Sequence, residues 1–170
     1  STQTALEVVL PDIPEIVVKA IEFHGGALYE QNKITMTITS LSGSFQIDTM
    51  RDDGNFEHVI TGTVEPNQFN GLEVAVERRS RLTNDTVQEW NDSIEVELDE
   101  EGQRQARAFV DARVFFPLLP YTLKGNDVRF EDLGLEEWDG RDLHKVKVTF
   151  NPGTSNDADD GYMFWFDPDS

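Results

Sequence analysis

The chain has 170 residues, a hydrophobic fraction of 38 %, 11 Phe and 3 Trp, and carries 33 Asp plus Glu against 14 Lys plus Arg, for a formal net charge of -19. That length suits one domain with its own hydrophobic core, and the aromatic content argues against disorder despite the charge. The absence of cysteine excludes a disulfide framework, a thiolate metal site and a cysteine nucleophile, and so acidic a surface repels phosphate backbones, which excludes nucleic acid as a partner.

At the N-terminus, STQTALEVVL lacks the basic n-region and long apolar core of a secretion signal. LPDIPEIVVKAIEFHGG predicts a short amphipathic helix, with Asp12 as N-cap, Glu15 completing a capping box, Pro14 in the first turn, and Gly25 and Gly26 as the stop. From residue 28 to 98 the apolar period is two. ITMTITS alternates Ile34, Met36 and Ile38 with threonines, and SFQIDT repeats the pattern with Phe45 and Ile47. Turn signals at LSGS, RDDGN, TND and ND separate further strands in FEHVITGTV, LEVAVERRSRL, TVQEW and SIEVEL. About six short strands joined by antiparallel hairpins are expected.

At residue 99 the pattern turns helical, since DEEGQRQARAFVDARVF has acids in its first turn and arginines later. Pro117 ends that helix and is expected to drive Phe116 into an extended conformation. The exit, FFPLLPYTL at 115–123, carries no charge. It is no membrane span, which needs about 20 apolar residues and tolerates few prolines. NDVRFEDLG, a turn at WDGRD, the strand LHKVKVTF, the polar loop NPGTSNDADDG and the strand YMFWF follow. In the last strand Tyr162, Phe164 and Phe166 alternate with Met163 and Trp165, so both faces are apolar and one of them needs a partner. No linker or repeat divides the chain, and a single domain over 1–170 is expected.

Strands that alternate this cleanly have one dry face, and few helices are available to cover it. The expected fold is α+β: a strongly curved antiparallel sheet, an incomplete barrel, wrapped around two or three helices, with FFPLLPYTL capping the enclosed space.

The chemistry is sparse. His58 shares a face with Phe56, Ile60 and Val64, and His144 with Val146, Val148 and Phe150. Each reads first as a core histidine satisfied by backbone or water, with a ligand contact or a general-base role as the other reading. An enzyme built on either would need a carboxylate within hydrogen-bond reach, and no spacing supplies one. His24 precedes two glycines as in an oxyanion loop, but no G-x-S-x-G elbow accompanies it and a helix stop accounts for the glycines. NDADDG at 156–161 gathers hard oxygen ligands, yet Ala158 stands where a ligand belongs and no Glu closes the register, so it reads as a solvated loop. The pairs Glu100-Glu101, Glu136-Glu137 and Asp159-Asp160 are sequence neighbours that point apart. No catalytic set, metal site or cofactor is expected, and the chain is expected not to be an enzyme.

His24 to Gly26 after the first helix, FFPLLPYTL after the central one, LGLEEWDGRDLHKVKVTF and DGYMFWFD together resemble an uncharacterised family of secreted bacterial proteins. That family is related to the lipoprotein-carrier fold of the periplasmic lipoprotein chaperone and its outer-membrane receptor. The resemblance covers most of residues 15–168; the family pattern continues with further strands beyond DPDS, so the chain is expected to be either a fragment or a sheet that ends at this edge. It implies a non-catalytic binding protein that holds a lipid or other hydrophobic small molecule in an apolar cavity. It also implies a place in the periplasm or at the outer membrane, any signal segment having been removed ahead of Ser1. On that expectation Phe116, Leu118, Leu119 and Tyr121 form a lid. Phe45, Ile47, Ile60, Val74, Val76, Val146, Val148, Phe164 and Phe166 line the cavity, and His144 is a polar ligand contact. The alternative is a structural or interaction domain of an envelope protein with a filled core.

The acids are spread along the whole chain, with 5 Lys beside 9 Arg, a pattern that resembles surfaces from salt-loving organisms, where salt screens self-repulsion. Dialysis from high to low salt is therefore expected to unfold the chain, read as loss of its far-ultraviolet circular dichroism. A spectrum indifferent to salt overturns the halophilic reading.

Overall fold

The structure is a computed structural model and describes residues 12–40, 43–52, 54–68, 70–125, 127–151 and 161–169. The chain divides into two compact units, one of Gly25–Leu119 and one of Pro120–Ser170 with the N-terminal segment to His24. The fold class is α+β with every strand pairing antiparallel, and the strands form two open sheets where a single wrapped one is expected.

In the Gly25–Leu119 unit the period-two segments become β1 (Ile34–Ser40), β2 (Gly43–Asp52), β3 (Asn55–Val64), β4 (Val76–Thr83), β5 (Val87–Asn91) and β6 (Ile94–Glu95), a meander in chain order. The tight turns use the left-handed conformations that such hairpins demand: Gly54 at φ +79°, and Asp92 and Ser93 at +49° and +70°. Register aligns three rows across one face. They are Thr49, His58 and Leu82; Ile47, Ile60, Ser80 and Glu89; and Phe45, Gly62 and Arg78.

The helix expected from residue 99 packs on that face. It is the longer of two helices in this unit, the other being the single turn Leu28–Gln31 beside β2. Asp99 caps its start by accepting from Gly102 N–H at 2.8 Å, and acids fill its first turn. Ala106, Val110 and Val114 fall four residues apart and are buried against β3, β4 and β5. Ile47, Ile60 and Leu82 from the sheet join Val110, Val114 and Leu118 in one apolar cluster.

The other unit holds Glu15–Phe23, whose buried Val17 and Ile21 lie one turn apart. We number the helices in chain order, α1 being Glu15–Phe23, α2 Leu28–Gln31 and α3 Glu100–Phe115. Its sheet is β7 (Val128–Trp138), β8 (Arg141–Phe150) and β9 (Tyr162–Phe166), in that order, with Asp139 and Gly140 at positive φ in the β7–β8 turn. Val128, Val146, Val148 and Phe150 are buried on one face. Among the described residues no helix is long and apolar enough to cross a membrane.

Five local expectations fail. Pro14 itself occupies the N-cap of α1, and a proline ring offers no acceptor, so the Asp12–Glu15 capping box does not form. Phe116 is right-handed helical (φ -67°, ψ -45°) although Pro117 follows, because Leu119 N–H donates back to Phe116 O at 3.2 Å and Leu118 is buried. β4 begins at Val76, leaving 72–75 outside it, and SIEVEL contributes only the two residues of β6. FFPLLPYTL does not act as one piece: Phe115 and Leu118 are buried in the first unit, Phe116 is exposed, and Tyr121, Thr122 and Leu123 are buried as a 3-10 turn of the second.

Leu82→Ala, which empties a fully buried position at the centre of the six-stranded sheet, is expected to cost about 2–5 kcal/mol in urea unfolding. Ile94→Ala, at a position 74 % exposed, should change stability by less than about 0.5 kcal/mol. Equal effects would contradict the placement of the core.

Candidate functional site

The row Phe45, Gly62 and Arg78 ends the covered face, and beside it the sheet and α3 leave a cavity of about 290 Å³. Ile60 and Val64 complete its floor, Phe109 and Arg113 form the helical wall, and Gly43, Ser44, Thr63, Glu65 and Asn67 complete the lining. Gly62 lets Phe45 of the neighbouring strand pack closely against it at the edge of this space. A Cβ there would lie 2.7 Å from Cβ of Phe45 and 3.0 Å from Ser44 O, so any side chain would displace Phe45.

Two guanidinium groups line the groove, in different situations. Arg78 is committed: its Nε donates to Asn91 Oδ1 at 2.9 Å, and its Nη1 lies 3.5 Å from Oε1 of the buried Glu89, whose other oxygen accepts from Ser80 Oγ at 3.5 Å. Arg113 sits one helical turn beyond Phe109. Its Nη1 donates to Phe109 O at 3.2 Å, and its guanidinium carbon stands 3.5 Å from the Phe109 ring centroid and 5.7 Å from that of Phe45. Burial lowers the pKa of Arg113 from its ordinary value. Among the described residues no carboxylate forms an ion pair with it.

The residues expected to line one cavity divide between the two units. Ile47, Ile60 and Leu118 are core, with Phe45 packed against them at the groove; Val76 is buried in β4, and Leu119 is half-buried. Val74 precedes β4 and is 67 % exposed, and Phe116 is 47 % exposed, neither arrangement being that of a lining or a closed lid. Tyr121, Val146 and Val148 are buried in the other unit, where Phe164 and Phe166 are half-buried and stacked at 6.2 Å. Of the expected set, only Phe45 and Ile60 line the groove. Gly62, Arg78, Phe109 and Arg113 were not expected there. Their signals in the sequence are a glycine on the dry side of a strand and an arginine four residues after Phe109, next to the apolar stripe of a helix.

The histidines take separate roles. His58 is 3 % exposed, shares a 2.7 Å hydrogen bond with Thr49 Oγ1 and stacks on Phe56 at 4.7 Å. It is the core histidine expected, satisfied by a side chain in place of backbone or water. His24 caps α1 through Ala20 O at 2.8 Å, as a helix stop requires. His144 is half-buried, and its Nε2 lies 2.6 Å from Asp132 Oδ1, which also accepts from Gly134 N–H at 2.9 Å. Those two bonds hold the Asp132 carboxyl below its usual pKa. The carboxylate partner absent from the spacing therefore exists: Asp132 stands opposite Val146, on the face that Val146 shares with His144, just before a register shift between Asp132 and Gly134. No other polar group joins the pair into a catalytic set, and no three acidic or histidine side chains converge to hold a metal, in each case among the described residues. Residues 152–160, with most of NDADDG, lie outside the described residues.

Hollows of about 360 and 390 Å³ also occur, lined mainly by polar and charged side chains such as Lys33, Asp48, Glu57, Glu77 and Arg79. Trp90 lines the larger of these beside Arg79, and the groove beside α3 is lined by two phenylalanines, Phe45 and Phe109. No protein family, curated protein or solved structure matches the chain.

Burial, with a smaller contribution from Arg51, lowers the pKa of His58 from 6.5 to about 3. Between those values the unfolded chain takes up a proton that the folded chain does not, so stability falls as pH drops, by about 1.4 kcal/mol per pH unit from this group. Urea midpoints measured from about pH 7 to 5.5, above the carboxylate range, should decline in the native sequence and flatten in His58→Gln. Parallel pH profiles for the two proteins would refute a neutral buried imidazole.

Proposed function

We propose that the chain is a non-catalytic binding protein of the cell envelope, acting outside the cytoplasm, that holds the apolar body of a lipid or acyl-bearing molecule in the groove between β2–β4 and α3. The observation that carries this reading is the groove itself, about 290 Å³ beside Phe45, Ile60 and Phe109 with Arg113 in its wall. Gly62 in the strand interior serves the close approach of Phe45 and Ser44, which sets Phe45 at the groove. On this reading the six-stranded sheet with α3 on its dry face is the lipoprotein-carrier-like part of the chain. The volume of about 290 Å³ stands near the lower end of small-molecule pockets, roughly 300 Å³, and suits one alkyl chain in preference to a diacyl lipid. With about 0.8 kcal/mol per buried methylene, a ten-carbon chain reaches micromolar affinity at most.

Calorimetric titration of the full chain with decanol is expected to give saturable binding at one site. Gly62→Ala, which drives Phe45 toward the groove, should weaken that binding about tenfold, the loss of one or two methylene contacts, and should cost about 1–3 kcal/mol of stability through overpacking. No saturable heat up to the solubility limit would favour the filled-core envelope domain instead. Undiminished binding by the variant would place the site elsewhere.

A further inference from the structure

The groove as binding site is the premise here; the ligand's head group is what the charges around it decide. A chain with 33 acidic and 14 basic residues lines this groove with two arginines and one glutamate. Arg78 already answers the buried Glu89 and Asn91. Arg113 bonds a backbone carbonyl and stacks on Phe109, and among the described residues it has no counter-ion. A guanidinium taken partly out of water without an anion is unfavourable, and folded proteins ordinarily pair one. Consistent with this, burial lowers the pKa of Arg113 and no neighbouring carboxylate opposes that shift. The carbonyl bond and the stacked ring fix the planar fork beside the apolar floor, and its other N–H donors meet no acceptor among the described residues.

We propose that Arg113 binds the carboxylate of a single-chain fatty acid whose alkyl chain lies over Phe45, Ile60 and Phe109. One uncommitted guanidinium matches a monovalent group that accepts two parallel N–H bonds. A phosphate dianion would bring a second charge into a groove that Glu65 also lines, where the other cation of the lining, Arg78, already meets Glu89.

The test compares decanoate, decanol and decyl phosphate by calorimetry on the full chain at about pH 8, where the carboxylate is ionised. Decanoate is expected to bind about tenfold or more tightly than decanol, as a charged hydrogen bond warrants, and more tightly than decyl phosphate. In Arg113→Gln the decanoate and decanol affinities converge; in Arg113→Lys the preference for decanoate survives in reduced form. Equal binding of decanol and decanoate by the native sequence overturns the head-group assignment and leaves the acyl groove standing. Tighter binding of decyl phosphate overturns the carboxylate in favour of a phosphate. If neither decanol nor decanoate binds, the groove itself is refuted and this inference falls with it. The native-sequence comparison decides the matter even if a variant, checked by circular dichroism, fails to fold.

Discussion

One helix must cover the dry face of a six-stranded sheet, and it is too narrow to do so. The 16 residues of α3 make a rod about 24 Å long and about 10 Å across, while six strands about 4.8 Å apart span about 24 Å. The rod therefore covers two or three strands, and it packs on β3, β4 and β5. The single turn α2 adds cover at β2. Where β2 and β3 run out beyond the helix, the row of Phe45 and Gly62 is left with only the flank of α3, Phe109 and Arg113, beside it. The groove is a consequence of this mismatch between sheet width and helix width.

The same face explains which polar groups are buried and how they are satisfied. Thr49 and His58 face one another in register and share a hydrogen bond, so neither needs water. Ser80 and Glu89 are likewise cross-strand partners, and Arg78, one row away, meets the Glu89 carboxylate. Such a buried pair adds little net stability, but removing one partner would strand a charge in the core. The two strand-borne polar clusters are therefore closed on themselves. Arg113 differs because it comes from the helix, outside the ladder that supplies cross-strand partners.

The meander was legible in the sequence because a period of two and turn residues are local signals. Alternation at Ile34, Met36 and Ile38 and the turns at Gly54, Asp92 and Asp139 need no tertiary information. The start of α3 was legible for the same reason, from the Asp99 cap and the acidic first turn. What stayed hidden depends on long-range geometry. The division of the strands into two sheets is invisible to periodicity, so residues 146 and 148 were assigned to the same lining as 47 and 60, which belong to the other unit. The Asp132–His144 pair depends on which residues of β7 and β8 stand opposite one another, a register in which Asp132 faces Val146 and which alternation alone does not supply. Val74 shows the reverse error, alternation continued past the point where the backbone leaves the ladder.

The net charge of -19 sets the terms on which an anion reaches Arg113. At low ionic strength the acidic surface repels anions over about 10 Å or more and slows their approach. At about 1 M salt that field decays within about 3 Å, while an interaction with a half-buried guanidinium is screened far less. A fatty acid carboxylate would then be recognised at contact, by one guanidinium seated on a phenylalanine ring, and not by attraction at a distance. The acidic exterior and the arginine in the groove are thus compatible: salt removes the long-range repulsion, and the low-dielectric wall of Phe109 and Phe45 preserves the short-range attraction.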